Sequence, residues 1–441
     1  MHQLREEMAE LRRQLHRHSG NSSTPPSANP PWAPRPVIKK PTGRKPGGQP
    51  GHEGHCRELL PVEQVDQVVQ HKPGQCRHCG GVFPKGTAQE LLQRHQVMEL
   101  PRRAVRITEH QALACRCPRC GLTTRQEIPA EVACSVVGER LSAAIGFVSC
   151  RVHGSRRAVA NLLQEVLGAP LALGTVMARE REITQALSLP YRQAQQTIQK
   201  AAAKNVDETG WKGAGRFLWL AATRRLAVFH VDPCRNRDAL HELLGQKVKG
   251  VICSDRFGVY EEIPVRRRGL CWSHVKRDFQ ELAEQSGPAQ KIGAAGLQVC
   301  TQVFDLWHQF RQRHLPRPVL AQRLLPVRRK MQRFLKRAIR SPAQRAAQFC
   351  RQLLRLEPAL WTFARVTGIE PTNNHAERML RPAVLWRKQS LGSHSLGGCR
   401  FVERMMTVLQ TLRLRGHRVM DYLAQAIHAL RCGRSPSPLP A

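Results

Sequence analysis

The segment Pro371-Thr372-Asn373-Asn374-His375-Ala376-Glu377-Arg378 predicts the start of a helix with one carboxylate in its opening turn. A capping box, with Asn374 as the N-cap and Glu377 three residues later, accounts for both side chains without any catalytic role. Two further carboxylates, Asp207 and Asp255, each end a short apolar run upstream. Three separated carboxylates in a strongly basic chain indicate a divalent-metal site that acts on phosphate.

The composition of the chain points to a polyanionic partner. Seventy Lys and Arg residues against thirty-three Asp and Glu give the 441 residues a formal net charge of +37. This excess favours nucleic acid as the partner over an acidic membrane surface. No apolar run approaches the roughly 18 to 20 residues of a spanning helix, and the N-terminus lacks the apolar core of a signal peptide. We therefore expect a cytoplasmic protein without a membrane partner, large enough for about two or three domains.

The N-terminal region divides into a helix and a linker. Residues 1–18 predict a short amphipathic helix whose four-three-four apolar spacing covers about two heptads. It is either the end of a dimerising zipper or only an amphipathic helix. Residues 19–60 predict a disordered basic linker, because nine prolines fall between Ser19 and Pro50 and large apolar residues are almost absent.

Two Cys-x-x-Cys pairs, each followed by glycine, predict a zinc site. Thirty-seven residues separate the pairs Cys76, Cys79 and Cys117, Cys120. Each pair can turn two thiolates toward one ion, so residues 61–130 predict a small zinc-ribbon domain with a structural Zn²⁺. A strand over residues 105–115 would link the pairs, and Cys115 is an alternative ligand. The other interpretations are four reduced thiols without metal, or redox chemistry, for which one pair would suffice.

Residues 131–200 are predicted to be helical, with a break at Gly168-Ala169-Pro170. Two helices about such a break match either a helix-turn-helix that reads DNA or an all-helical spacer. The apolar spacing alone does not separate the two.

The following residues predict alternating strands with one helix. Lys204 to Asp207 indicates a strand end, and two strands, a short helix and a fourth strand follow at 216–222, 226–231, 237–244 and 250–255. This is the order of a ribonuclease H-like α/β fold, in which the first and fourth strands are neighbours. We therefore expect Asp207 and Asp255 to lie together at adjacent strand ends.

Several longer motifs occur in one order along the chain. They are Asp207-Glu208-Thr209-Gly210-Trp211; Ser254-Asp255 with Tyr260; Cys271-Trp272-Ser273-His274 with Arg277 and Phe279; residues 372–378; Arg387-Lys388 with Gly392-Ser393; the paired cysteines; and the linker residues 43–52. Together they resemble the bacterial insertion sequence 66 family of transposases, from about Asn21 to Leu423. The chain departs from that pattern in its short N-terminal helix and at Cys234-Arg235-Asn236, where family members often carry a sequence like Ser-Arg-Gly.

The resemblance implies a DDE transposase that cleaves DNA at the ends of its element and transfers the freed 3′-hydroxyl into target DNA. The implied catalytic triad is Asp207, Asp255 and Glu377, which would hold two Mg²⁺ (or Mn²⁺) ions about 4 Å apart. Glu208 and Glu403 are the nearest other acids, and neither occupies a matching triad position.

The resemblance also implies the domain order. Residues 201–285 and 366–430 would form the two parts of the ribonuclease H-like core, separated by a basic helical insertion over residues 286–365. Between Leu306 and Leu356 the sequence itself has fourteen Lys or Arg residues and no acid, which favours phosphate contacts. Residues 431–441 are expected to be a disordered tail.

Roles beside the triad follow from the same resemblance. We expect Arg378, Arg381, Arg387 and Lys388 to hold the DNA backbone beside the metals. His274 or Arg277 would touch the scissile phosphate or support the triad, with Cys271 packed at a strand end. Alternatively, Cys271 and His274 form half of a second zinc site.

The expected partners are DNA, at the element ends and at the target, a homodimer or higher oligomer of the chain, and accessory proteins of the same element. The resemblance implies a bacterial, nucleoid-associated protein. Two other functions are a transposase-derived DNA-binding protein without catalysis and a ribonuclease H-like nuclease that does not join. Retention of three acids argues against the first, and only a joining assay separates the second.

Overall fold

The computed structural model of the protein describes residues 59–88, 90–101, 104–116, 118–120, 122–133, 135–211, 215–312, 314–390 and 393–441. The predicted helix over residues 1–18, nearly all of the predicted linker, Cys117 and Gly392 lie outside these residues. Contacts divide the described chain into two units, residues 59–104 and residues 105–441. The smaller unit contains a 3-10 turn at Val62–Gln64 and an isolated bridge between Gln75 and Val82.

The larger unit begins with a short hairpin. Strand β1 (Ala114–Arg116) pairs antiparallel with strand β2 (Thr123–Arg125). The prediction of a strand over residues 105–115 is therefore wrong except at its end. Within the described residues, 105–113 pair with no other strand, and an extended segment without a partner gains no ladder hydrogen bonds.

Five helices follow, as the apolar spacing predicts. They are α1 (Ala130–Ala133), α2 (Glu139–Val152), α3 (Arg156–Leu167), α4 (Leu173–Ala186) and α5 (Ser188–Lys200). Gly168, with φ of +64°, ends α3, which is the predicted break. Helix α4, which would be the reader of a helix-turn-helix, buries one face through Val176, Glu180 and Ile183. Both a DNA reader and a spacer helix pack in this way, so the two interpretations stay open.

A five-stranded mixed sheet forms the centre of the larger unit. Its strands are β3 (Ala203–Trp211), β4 (Arg216–Ala222), β5 (Ala227–Asp232), β6 (Val251–Ser254) and β7 (Arg268–Leu270), with helix α6 (Arg237–Leu244) between β5 and β6. The spatial order is β5-β4-β3-β6-β7, antiparallel from β5 to β3 and parallel from β3 to β7. The predicted second to fourth strands, the helix and the adjacency of the first and fourth strands are confirmed within a residue or two, whereas the first strand continues four residues past its predicted end at Asp207.

Helices cover both faces of the sheet, because its strands are apolar on both sides. Successive residues of a strand point to opposite faces, so Leu218 and Leu220 join one core cluster while Trp219 and Ala221 join another. The first cluster is completed by the C-terminal helices, and the second by α5 and α6.

The remaining helices complete the mixed α/β unit. Those between the sheet and the segment 371–378 are α7 (Trp272–Ala283), α8 (Gly287–Arg311), α9 (Arg317–Ala338), α10 (Gln344–Arg355), α11 (Glu357–Leu360) and α12 (Thr362–Arg365). They share a core cluster of their own with Cys253 and Leu270 of the sheet. The last three are α13 (Asn374–Ser390), α14 (Leu396–Leu414) and α15 (Val419–Arg431).

The C-terminal residues contact the helices instead of forming the predicted disordered tail. Helix α15 continues to Arg431, and the Tyr422 hydroxyl donates to the Ser437 carbonyl at 2.8 Å. Leu439 packs against the apolar core. No helix in the described part of the chain is both long and apolar enough to cross a membrane.

Candidate active site

The register of the parallel strands brings Asp207 and Asp255 level. In β3 and β6, Ala203 pairs with Val251 and Asn205 with Cys253. Asp207 and Asp255 each lie two residues beyond the last pair of this ladder, and the charge of Asp255 raises the pKa of Asp207, so the two carboxylates are neighbours. Asp255 directly follows the last residue of β6, as predicted, whereas the prediction that Asp207 ends its strand is wrong. Asp207 lies mid-strand, because β3 continues to Trp211 in its antiparallel ladder with β4.

Residues 371–373 form hydrogen bonds with β3 and with the start of α7. The Asn373 side chain is fully buried; its Nδ2 donates to the Val206 carbonyl and its Oδ1 accepts from Nδ2 of Asn205, both at 2.9 Å. The backbone N–H of Trp272 donates to the Pro371 carbonyl at 2.7 Å. These bonds fix the start of α13, the helix that carries Glu377, against the middle of β3 and the start of α7.

The capping-box interpretation of this segment is wrong. Helix α13 begins at Asn374, so Asn373 occupies the N-cap position and Glu377 lies four residues beyond it. The Asn373 amide is engaged with the strand rather than with the helix backbone. Glu377 is exposed, and its backbone N–H donates to the Asn373 carbonyl at 3.2 Å, an ordinary helical bond.

Negative charge accumulates around Asp207. Burial raises the pKa of Asp207 well above its ordinary value, and the charges of Glu208, Asp255 and Glu377 raise it further. One hydrogen bond opposes them, from the Glu208 backbone N–H to Oδ1 of Asp207 at 3.0 Å. Carboxylates close enough to repel one another are a donor set that a divalent cation would neutralise.

Glu208, unlike Asp207, Asp255 and Glu377, forms an ion pair with a described residue. Its side chain is 2% exposed; Oε1 accepts from Nε and Nη2 of Arg235 at 3.0 and 2.6 Å, and Oε2 accepts from the Tyr260 hydroxyl at 2.7 Å. The Arg235 guanidinium lies 3.9 Å over the ring of Phe257, whose backbone N–H donates to Oδ1 of Asp255 at 2.9 Å. Glu208 therefore ties the loop that carries Asp255 to the strand that carries Asp207.

A second group of ligand-type side chains adjoins the acids. Sγ of Cys271, a ring nitrogen of His274 and a carboxylate oxygen of Glu377 lie within 4.8 Å of one another. Among the described residues, Asp207, Asp255 and Glu377 do not form such a group. Cys271 is buried directly after β7, as predicted, and its Sγ accepts from the Asn373 N–H at 3.2 Å. Burial and the charge of Arg277 lower the pKa of His274.

Three of the four expected phosphate-binding cations form no ion pair within the described part of the chain. Arg378, Arg381 and Lys388 are exposed on α13, without an ion pair to any described residue. Arg387 is half-buried, and its Nη1 donates to the Gly210 carbonyl on β3 at 2.8 Å. Arg387 therefore also secures α13 to the sheet.

Glu403 has a structural role at the opposite edge of the sheet. This fully buried residue of α14 accepts from the Val231 N–H at 2.7 Å, and Thr407 and Thr411 accept from the Phe229 and Ala227 N–H groups. These three side chains satisfy the outward N–H groups of β5, which is an edge strand. Two strands separate them from β3, which agrees with ranking Glu403 below the triad.

The first cysteine pair has features of a metal-binding turn. The Gly80 N–H donates to the Cys76 carbonyl at 2.9 Å, with φ of +74° at Gly80. Hydrogen bonds from the His78 and Cys79 backbone lower the pKa of the Cys76 thiol, which favours the thiolate that binds Zn²⁺. Cys120 is exposed in the larger unit, and Cys117 lies outside the described residues. The shared zinc site stays a prediction.

The sequence interpretation missed two features of the site. The sequence motif contains Asn373 but does not indicate its buried hydrogen bonds. The partners of these bonds lie 167 and 168 positions away in the sequence. Arg235 was noted only as a departure from the family pattern. The one sequence feature that could have indicated the pairing of Arg235 with Glu208 is the second acid of the Asp207-Glu208 dipeptide.

A mixed α/β core that gathers carboxylates at one edge, beside exposed cations, is typical of enzymes that act on nucleic-acid phosphates. A family model described as transposase IS66 family matches residues 135–400. Since this match covers more than half of the chain, the chain belongs to the IS66 family of transposases, as the motifs predicted.

Two other similarities are shorter. A model for a family of unknown function (DUF6444) matches residues 1–58. The uncharacterized protein y4qI of Sinorhizobium fredii (strain NBRC 101917 / NGR234) is 33% identical over 101 residues, which cover 23% of this chain and 19% of y4qI. The match thus spans about a fifth of that relative's length.

Proposed function

We propose that this IS66-family transposase is a DDE enzyme that cleaves DNA at the ends of its element and joins the freed 3′-hydroxyl to target DNA. Asp207, Asp255 and Glu377 are its catalytic acids. The observation that supports the proposal is the attachment of α13, which carries Glu377, to β3 through the buried Asn373 side chain. Asp207 lies on β3, and Asp255 lies two residues beyond the last pair of the β3–β6 ladder.

The proposed core is ribonuclease H-like. Its support is the sheet order, with an antiparallel run of β5, β4 and β3 and parallel pairing of β3 with β6. In this interpretation, helices α8 to α12 are an insertion between the second and third acids.

The acids fit hard divalent cations, because carboxylate oxygens are the ligands that Mg²⁺ and Mn²⁺ prefer. Bound there, two such ions would activate the attacking oxygen and stabilise the leaving oxygen of an in-line displacement. The charges of Asp255 and Glu377 both raise the pKa of Asp207. Asp207 would therefore bind both ions, while Asp255 and Glu377 would each bind one. Glu208, paired with Arg235 and Tyr260, would hold the Asp255 loop in position instead of binding metal.

DNA would lie along the basic surface next to the acids. Arg378, Arg381 and Lys388 are free to pair with phosphates, and Arg387 can do so only with its remaining N–H groups. His274, in the first turn of α7, would contact the scissile phosphate or support the acids, together with Arg277.

Two further parts of the proposal concern stability and assembly. A Zn²⁺ ion held by Cys76, Cys79, Cys117 and Cys120 would be structural, supported by the turn and backbone hydrogen bonds at Cys76. We also propose that the chain assembles into a homodimer or larger oligomer on two element ends, together with accessory proteins of the same element.

The reaction class is tested with the full-length protein, Mg²⁺ and pre-nicked terminal DNA of its own element. We expect joined product from the parent, none from Asp207→Asn, and parent-like joining from Asp238→Asn, an exposed acid on α6. Cutting without joining would identify a nuclease instead. DNA binding with neither reaction, even after the element's other proteins are added, would favour a non-catalytic DNA-binding protein.

A further inference from the structure

Three potential metal ligands from two helices meet beside the proposed catalytic acids. They are Sγ of Cys271 and a ring nitrogen of His274 at the start of α7, and a carboxylate oxygen of Glu377 on α13. Among the described residues, this is the only group of three His, Cys, Asp or Glu side chains whose ligand atoms all lie within 4.8 Å. A spacing of that order is close to the separation of ligands around one bound ion, since each ligand lies about 2.0–2.3 Å from zinc.

The fold holds these ligands in place without an ion. Cys271 and His274 are three residues apart, so they lie on the same side of the opening turn of α7. The Asn373 N–H bond to Sγ of Cys271 connects α7 to the start of α13. The Asn373 carbonyl in turn accepts from the Glu377 N–H at 3.2 Å. Asn373 therefore connects Cys271 to Glu377 by one hydrogen bond on each side.

His274 supplies an independent indication of a ligand. Its Nδ1 atom is buried and has no hydrogen-bond partner within the described chain. Buried polar nitrogens are almost always paired, so an unpaired nitrogen on a histidine whose ring adjoins a thiol and a carboxylate needs an explanation. Glu377 has no hydrogen-bond or ion-pair partner for its carboxylate among those residues either, and it is exposed to solvent on the other side.

We propose that Cys271, His274 and Glu377 bind one Zn²⁺ ion and leave a fourth coordination position open to solvent. One thiolate, one imidazole and one carboxylate form a borderline-soft donor set, which suits Zn²⁺ and not Mg²⁺. On binding, the Cys271 thiol releases its proton to solvent, so the two anionic ligands balance the charge of the ion. The same residue, Glu377, thus belongs to a hard site with the aspartates and to a softer site with Cys271 and His274.

The consequence for catalysis rests on the proposed function. Glu377 cannot complete the metal set of Asp207 and Asp255 while it is bound to Zn²⁺. Zn²⁺ at this site therefore competes with the catalytic ions and inhibits DNA joining, so the site makes the enzyme sensitive to free zinc.

Zinc binding is tested directly, by equilibrium competition between the full-length chain and a chromophoric zinc chelator, without DNA or Mg²⁺. The variants are Cys271→Ala, Glu377→Gln and, as a matched control, Cys253→Ala. Cys253 is another buried thiol, and its Sγ lies 3.8 Å from the carbonyls of Glu370 and Thr372, outside the group. We expect the parent and Cys253→Ala to bind one more Zn²⁺ per chain than Cys271→Ala. Glu377→Gln should weaken this ion at least about tenfold.

Equal zinc numbers and affinities in the parent, Cys271→Ala and Glu377→Gln would overturn the proposal. Glu377 is exposed, so Glu377→Gln keeps the test decisive even where loss of the buried thiol disturbs folding. Zinc bound by Cys76 and Cys79 is common to all variants and cancels in the comparison. No DNA reaction is measured, so a failure here is distinct from a failure of DNA joining.

Discussion

At the scale of single residues, Asn373 is the part of the site that a sequence motif does not explain. Its amide joins α13 to β3 through bonds to Val206 and Asn205. Asn373→Ala leaves a buried carbonyl and a buried amide unpaired, which should lower the free energy of unfolding by about 2–4 kcal/mol. Urea unfolding of the full-length chain measures this loss.

The neighbouring asparagine is the matched control. Asn374 is exposed, so Asn374→Ala should change the free energy of unfolding by less than about 0.5 kcal/mol. If Asn374 were the N-cap instead, its loss would cost about 0.5–2 kcal/mol. A larger effect at Asn374 than at Asn373 would contradict the structure of this helix start.

Asp207 should lower the stability of the metal-free protein. Because its pKa is raised in the folded state, mainly by burial and then by neighbouring carboxylates, the unfolded chain loses this proton at lower pH than the folded chain does. The folded state thus binds more protons between the two pKa values, and stability falls as pH rises through that window. Above it the cost is complete, and below about pH 4 it is absent.

Asp207→Asn should therefore raise the urea midpoint of the metal-free protein at pH 7, with little effect near pH 3. Added Mg²⁺ should stabilise the parent more than the variant, since a ligand that binds only the folded state shifts the unfolding equilibrium. A variant that is less stable than the parent at pH 7 without metal would contradict the proposed crowding of negative charge.

At the scale of helices and strands, the sequence predicted what depends on local pattern. Residues 216–222 form a strand with the predicted bounds, because Phe217 to Ala222 is a continuous apolar run. The predicted end of β3 was wrong because the length of β3 depends on its pairing with β4. Seven residue pairs, from Asn205 to Trp211, extend that ladder past Asp207. Likewise, the roles of Asn373 and Arg235 depend on contacts between distant segments, which no local pattern contains.

Helix α9 is the element that best fits DNA outside the site. It contains no acid, and Arg329, Arg333 and Lys336 recur at helical spacing and are exposed, without an ion pair to any described residue. We expect the combined change of these three to glutamine to weaken DNA binding and to reduce the slope of log K against log salt by about 2–3. Fluorescence anisotropy over a salt series measures both effects.

Three other exposed cations serve as the control for α9. Lys200, Lys247 and Lys249 precede β3 and β6, at the opposite end of these strands from Asp207 and Asp255. Their combined change to glutamine should leave the salt slope nearly unchanged. Equal losses in both triple variants would indicate that DNA responds to net charge and not to helix α9.

At the scale of the whole molecule, the sequence motifs predicted the family, and the family model that matches residues 135–400 confirms it. The structure adds how distant parts of the larger unit meet. The three proposed acids come from β3, from the loop after β6 and from α13, and they are separated by 48 and 122 residues in the numbering. Their convergence depends on a parallel strand register and on the buried amide of Asn373. Spacing in the sequence could suggest a metal site, but only the folded chain relates Glu377 to Cys271 and His274 as well.

The measurement that tests the catalytic proposal most directly is strand transfer by Glu377→Gln beside Glu370→Gln. Glu370 lies seven residues earlier, and its carboxylate accepts from Arg311 at 3.1 Å. With Mg²⁺, pre-nicked terminal DNA and matched DNA affinity, we predict joining by the parent and by Glu370→Gln and none by Glu377→Gln. Joining by Glu377→Gln at the parental rate would contradict the proposed triad and leave Glu377 without a role in the reaction.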